Sequence, residues 1–221
     1  MNKYENAAWR NLPQGAMRPG GLKLTEQLLD LAHLEQNAKI LDVGCGLGST
    51  SWYLRTLGYQ ATGVDISQSL IQEGLLRYPE NDLLRADAAA MSFEDSCFDA
   101  VLSECSLSVM PHQAVLKECY RLLKTRGKLL VSDLYAREYS ATNKIHSLEA
   151  SLMMQHEWLE LLKKNNFIKI NFLDCSKAFT EFAVRAIWEY GSLEKLFDCG
   201  QWCNLAAAKP GYFLLVAQKG E

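Results

Sequence analysis

Three glycines, Gly44, Gly46 and Gly48, follow directly on the apolar-acidic run Ile40-Leu41-Asp42-Val43. Removing side chains at alternate positions lets backbone approach a ligand closely and adopt positive φ values that other residues resist. A loop of this kind between a first strand and its helix lies where a doubly wound sheet binds ligands, beyond the carboxyl ends of its strands. Carboxylates recur after it: Asp65 closes the run Ala61-Thr62-Gly63-Val64-Asp65, and Asp87 follows Leu83-Leu84-Arg85. Asp65 stands 23 positions beyond Asp42, where a carboxylate can accept hydrogen bonds from both hydroxyls of a ribose.

Asp42 decides between the ligands such a loop can take. A dinucleotide presents a pyrophosphate to the glycines, whereas S-adenosylmethionine presents an ammonium, a carboxylate and a sulfonium. Negative charge behind the loop suits the second. The dinucleotide fingerprint also asks for glycine or alanine at its sixth position, where this chain has Ser49. A nicotinamide-dependent oxidoreductase is therefore the weaker enzyme reading, and a non-catalytic module that only binds the donor is the alternative from another class. Asp87 is then placed to hold the adenine amino group.

The acceptor side is less specified. Glu104 and Cys105 end the apolar run Phe98 to Leu102 and are the candidate catalytic residues, with His112 and His156 as further candidates to take a proton from an acceptor that carries one. Methyl transfer from a sulfonium needs no obligatory base, because alignment in a water-poor pocket supplies most of the acceleration. Arg18, beside Pro19-Gly20-Gly21, is placed to reach the donor's carboxylate, with Tyr4 and Trp9 covering the site. Cys199 and Cys203 are one turn apart if helical and can join Cys105 around a soft acceptor.

The elements that position these residues follow from periodicity. Residues 1–23 show no regular period and read as a loop-rich lid. Thr25 is expected to cap a helix carrying Leu28, Leu31 and Ala32 on one face. Ser49 to Leu57 reads as the next helix, Ser67 caps the third, and Pro111 starts a fourth that carries Val115, Cys119 and Leu122 and ends near Gly127. Strands are expected at 40–43, 61–65, 83–85, 98–102, 128–133, 167–173 and 212–218, which alternate with helices as in a parallel sheet. Between the last two strands, residues 175–210 form an insertion. There Phe179, Phe182, Ala183, Ala186, Ile187 and Tyr190 recur at the spacing of an amphipathic helix, the expected specificity element.

With 221 residues, 48% of them hydrophobic, the chain is expected to form a single domain. A net charge of −3 gives no general attraction to nucleic acid or anionic lipid. The first residues contain no apolar signal-like stretch and no run is long enough to span a membrane, so the expectation is a cytoplasmic protein. Its seven cysteines are then free thiols, and no metal site is expected. The oligomeric state is left open.

Over roughly residues 22 to 175 these features resemble motifs I, II and III of the class I S-adenosylmethionine-dependent methyltransferases. The resemblance implies an α/β Rossmann-like sheet of seven strands ordered 3-2-1-4-5-7-6, with helices on both faces. It implies that Gly44, Cys45 and Gly46 line the methionine part of the donor, that Asp65 and Ile66 hold ribose and its surroundings, and that Asp87 with Ala88 frames adenine. Glu104 stands where amino-methylating members start an Asn/Asp-Pro-Pro-Tyr motif, which this chain lacks; that favours a small-molecule methyl acceptor. A narrower similarity, in Ser103-Glu104-Cys105-Ser106-Leu107 and Ser132-Asp133-Leu134-Tyr135-Ala136, is to arsenite methyltransferases and suggests a thiol or metalloid acceptor. Glu104 in place of Asn, and no cysteine before the first strand, depart from that family.

Overall fold

A computed structural model describes residues 18–138, 152–191 and 209–221. The chain passes through α1 (Gly21–Ala32), β1 (Lys39–Val43), α2 (Ser49–Thr56), β2 (Gln60–Asp65), α3 (Gln68–Arg77), β3 (Asp82–Arg85) and β4 (Phe98–Glu104). A short helical turn, Leu107–Val109, leads into α4 (His112–Leu122) and β5 (Leu123–Ala136). Then follow α5 (Gln155–Lys164), β6 (Phe167–Asp174), α6 (Ser176–Tyr190) and β7 (Pro210–Lys219). All strands join one sheet in the order β3-β2-β1-β4-β5-β7-β6, as the resemblance implies. The pairs from β3 to β5 are parallel, and β7 runs antiparallel to both β5 and β6.

Central strands are buried on both faces, so their sequences are apolar almost without interruption. Leu129 and Val131 of β5 pack with Phe213, Leu215 and Ala217 of β7 on one face, together with α4 and Trp158 of α5. Leu130 packs with Tyr212, Leu214 and Val216 on the other, against Leu24 and Leu28 of α1 and Phe179 of α6. Each fully buried Leu, Val or Phe contributes about 1.5–3 kcal/mol. Alternate residues of one strand thus serve opposite layers, and the strand ends are left to carry polar groups.

Several boundaries differ from the sequence expectation, each for a packing reason. Helix α1 begins at Gly21 behind Gly20, which is left-handed (φ 72) and offers no side-chain cap. Thr25 lies inside the helix, fully buried, because its hydroxyl is engaged by Arg18 and Glu104. The expected lid therefore gives residues 21–23 to α1, while Tyr4 and Trp9 lie outside the described residues. Helix α4 ends at Leu122, ahead of Gly127: Leu122 and Leu123 are both fully buried, and Leu123 pairs at once with Phe98. The turn-like Lys124–Gly127 stretch is an irregularity inside β5, with Arg126 left-handed (φ 64). Ser67 caps α3 as expected, accepting from the Leu70 N–H at 3.4 Å.

On α6, Phe179 and Ala186 are buried, but Ile187 is 48% exposed and Trp188 90% exposed. The described part of the apolar stripe is covered from Phe179 to Ala186 and open at Ile187. Tyr190's side chain, Cys199 and Cys203 lie outside the described residues. Among the described residues no helix is long and apolar enough to cross a membrane.

Candidate active site

Beyond the carboxyl ends of β1, β2 and β4, the glycine loop is pinned from three directions. Gly44, Gly46 and Gly48 are all left-handed (φ 76, 56 and 74). The Gly44 and Cys45 N–H groups donate to the Val64 carbonyl at 2.8 and 3.0 Å. The Gly46 N–H donates to Asp65 Oδ2 at 3.0 Å, and the Ser67 N–H donates to Asp65 Oδ1 at 2.8 Å. Asn81 Nδ2 donates to the Gly48 carbonyl at 2.8 Å. Ser106 Oγ donates to the Val43 carbonyl at 2.9 Å, and a Cβ on Gly44 would lie 2.5 Å from that hydroxyl. Glycine is needed there both for its φ and for the close approach.

Asp65 is half-buried and keeps further acceptor capacity, since an ionised carboxylate has about four lone-pair sites. Ile66 beside it is 61% exposed, an uncovered apolar side chain at the rim of the loop. Asp87 is exposed, its Oδ1 accepting the Ala89 N–H at 2.9 Å, and the Ala86 N–H ties the end of β3 to the Asp65 carbonyl at 3.0 Å. Ala88 is half-buried next to it.

A second cluster surrounds Glu104 at the end of β4. Its Oε1 accepts from Thr25 Oγ1 at 2.9 Å and from Ser132 Oγ at 3.5 Å. Oε2 accepts from Thr50 Oγ1 at 2.9 Å and pairs with Arg18 NH2 at 2.9 Å. The Arg18 and Glu104 side chains are only 10% and 5% exposed. Tyr212 Oη donates to Ser132 Oγ at 3.0 Å and lies 3.2 Å from Cys105 Sγ. One carboxylate thus joins α1, α2, β5 and the segment ahead of α1. Arg18 Nε is buried and meets no acceptor among the described residues.

Burial dominates the electrostatics. It pushes Asp42 up to about 7, with the Ser51 hydroxyl at 2.7 Å pulling the other way and Glu104 adding to the rise. For Arg18 burial pulls downward, but the charges of Glu104, Tyr212, Cys105 and Asp42 outweigh it and its pKa is raised. Burial also raises the Cys105 thiol, as does Asp133, and the hydrogen bond with Tyr212 offsets this only in part. Cys45 is raised well above the ordinary thiol by burial and by Asp42 and Asp65. Both thiols are protonated at neutral pH.

The structure brings Arg18, Asp42, Gly44, Cys45, Gly46, Asp65 and Glu104 together. The histidines stand elsewhere: His112 meets the Trp158 ring edge-on at 5.2 Å, burial lowering its pKa, and His156 is exposed on α5. Among the described residues no group of three His, Cys, Asp or Glu could hold a metal ion. The sequence reading missed Thr50, Ser106, Asn81, Ser132 and Tyr212 as site residues. They come from five separate segments: Ser106 and Ser132 lie in the two segments similar to arsenite methyltransferases, while Thr50, Asn81 and Tyr212 carry no motif, and only the sheet order brings them to the loop.

Residues 41–131 match a family described as Methyltransferase domain. A ubiquinone biosynthesis O-methyltransferase of Xanthomonas oryzae pv. oryzae is 34% identical over 140 residues, which are 60% of this chain and 56% of that protein. Among solved structures, the Haemonchus contortus phosphoethanolamine N-methyltransferase 2 superposes with a TM-score of 0.74 at 20% identity, over 93% of this chain and 54% of that one. The cyclase SpnF superposes with a TM-score of 0.73 at 22% identity, over 98% and 86%. The chain spans between a quarter and just over half the length of the curated relatives it matches. An antiparallel β7 between β5 and β6 also separates this sheet from the all-parallel dinucleotide order. The domain matched over residues 41–131 and the seven-stranded order agree with the class I methyltransferase fold.

Proposed function

We propose that this chain transfers a methyl group from S-adenosylmethionine to a small molecule. The observation that carries the reading is the left-handed glycine loop clasped by Asp65, with Ile66 exposed beside it and the buried Arg18 Nε–H meeting no acceptor among the described residues. Gly44, Cys45 and Gly46 would line the methionine part, Arg18 would hold its carboxylate, and Asp42 and Glu104 would face its ammonium. Asp65 would take the ribose hydroxyls, with Ile66 against the base and Asp87 and Ala88 at its edge. Bound there, the donor supplies a methyl group activated by sulfonium charge.

The residues themselves hold and align; none is placed as a base. Glu104 already accepts three hydroxyl protons and a guanidinium, so it positions Arg18 and the helix ends around it. Cys105 keeps its proton, which weighs against a thiolate ligand for a metalloid and favours an acceptor that brings its own nucleophile. We place the residues ahead of α1 as a lid and residues 175–210 as the insertion that shapes the acceptor side of a single domain.

Calorimetry with S-adenosylhomocysteine tests the donor assignment: saturable binding by wild type, lost in Asp65→Ala, is expected. No binding by folded wild type, or unaltered binding by D65A, would remove it. A cyclase sharing this fold makes a second reading specific, donor binding without methyl transfer. Incubation with isotopically labelled donor and a panel of small acceptors separates the two by whether label leaves the donor.

A further inference from the structure

Two segments resembled an acceptor-binding motif, Ser103 to Leu107 and Ser132 to Ala136, and the structure joins them to each other. The Cys105 N–H donates to the Ser132 carbonyl at 2.7 Å, and the Ser108 N–H donates to Asp133 Oδ2 at 2.8 Å. Asp133 Oδ1 accepts the Leu134 N–H at 2.7 Å, and Asp133 is 1% exposed. Between these anchors Cys105 turns the chain in a left-handed conformation (φ 52), which non-glycine residues adopt only where their surroundings hold them there. The turn so held presents Ser106, itself buried and 2.8 Å from Ser103 Oγ, to the Val43 carbonyl and to the space left by Gly44.

We infer that Asp133 is a positioning residue for the donor loop, acting through the 105–110 turn and Ser106 on the carbonyl that precedes Gly44. This rests on the donor reading above. A carboxylate suits the place because it accepts two backbone N–H groups at once. Asparagine offers one acceptor oxygen, so either Ser108 or Leu134 would face an amide N–H, and a buried donor left unpaired is costly. The turn would then relax, and with it the support under Val43 and Gly44. Asn81 supports the same loop from its far end and by a separate route, through the Gly48 carbonyl.

The test is S-adenosylhomocysteine calorimetry on Asp133→Asn, Ser106→Ala and Asn81→Ala and on the pairs, with hydrogen exchange at the Gly44 and Cys45 amides in the unligated proteins. D133N is expected to weaken binding about tenfold. S106A should add little to it, because both act on one tie, whereas N81A should multiply with it. Exchange at Gly44 and Cys45 should quicken in D133N and S106A relative to amides of β2. Unchanged affinity and exchange in D133N, or effects of D133N and S106A that multiply fully, would overturn the inference; a merely structural Asp133 would lower the melting temperature and leave both readouts alone. Should D133N not fold, S106A carries the same two readouts. If wild type binds no S-adenosylhomocysteine, the donor reading fails, and the exchange arm still decides the tie.

Discussion

Around the glycine loop, side chains bind backbone: Asp65 holds two N–H groups, while Asn81 and Ser106 hold carbonyls. Around Glu104, side chains bind one another: Arg18, Thr25, Thr50 and Ser132 converge on one carboxylate. The first arrangement fixes a conformation and leaves acceptor capacity on Asp65. The second consumes its own capacity and fixes the relative place of four segments. A ligand can therefore be met at the loop by groups already oriented, whereas at Glu104 it must share or displace a partner.

Breaking the second arrangement should have the largest effect. Glu104→Gln leaves the Arg18 charge buried without its partner and should cost about 3–5 kcal/mol in urea unfolding. Arg18→Leu should cost less, since three hydroxyls still serve the carboxylate; an equal cost would mean that those hydroxyls contribute nothing. Next comes the pH dependence of Asp42. With its folded pKa near 7 and its unfolded value near 3.8, the native state keeps a proton that the unfolded chain releases. Stability associated with this group is therefore full below about pH 4 and is lost as pH rises through 7. The difference between wild type and Asp42→Asn should decline over that window by on the order of a few kcal/mol, and a flat difference would refute the burial argument.

At the loop, Gly44→Ala forces a Cβ at φ 76 against Ser106 and should cost about 1–3 kcal/mol with loss of S-adenosylhomocysteine binding. Adding Ser106→Gly should return part of it; no recovery would mean that φ alone sets the cost. Tyr212→Phe removes one link between Cys105 and Ser132 and should cost about 1 kcal/mol in thermal unfolding. Smallest, Trp188→Ala should change stability by less than about 0.5 kcal/mol, as expected of an exposed side chain. With α6 proposed at the acceptor side, the same variant should shift KM for an acceptor and leave donor affinity alone.

The same contrast explains what the sequence could tell. Gly44, Gly46, Asp65 and Ser67 were legible because a loop pinned through its own backbone needs residues of particular type at fixed spacing. Strands β4 and β7 were legible because burial on both faces writes a nearly continuous apolar run, and β1 and β2 because each carries an acidic residue at its carboxyl end beside the loop. Thr25 and Thr50, by contrast, look like any helix threonine; the first even resembles a cap, and only the arrival of Glu104 from 79 positions away gives it another use. The start of β5 was misread because Lys124 to Gly127 has turn composition, and nothing local reveals that Leu123 already pairs with Phe98.

The place of β7 has a consequence for how the molecule is made. Residues 210–219 are inserted between β5 and β6, so nine residues of β5, from Lys128 to Ala136, find their second neighbour only in the last strand of the sequence. While the chain emerges from the ribosome, the apolar stretch Leu129 to Val131 lies at an open sheet edge, a template for pairing with other chains. Pairings this distant in sequence form slowly. Synthesis that stops short of Pro210 would leave the five parallel strands β3-β2-β1-β4-β5 with that edge exposed.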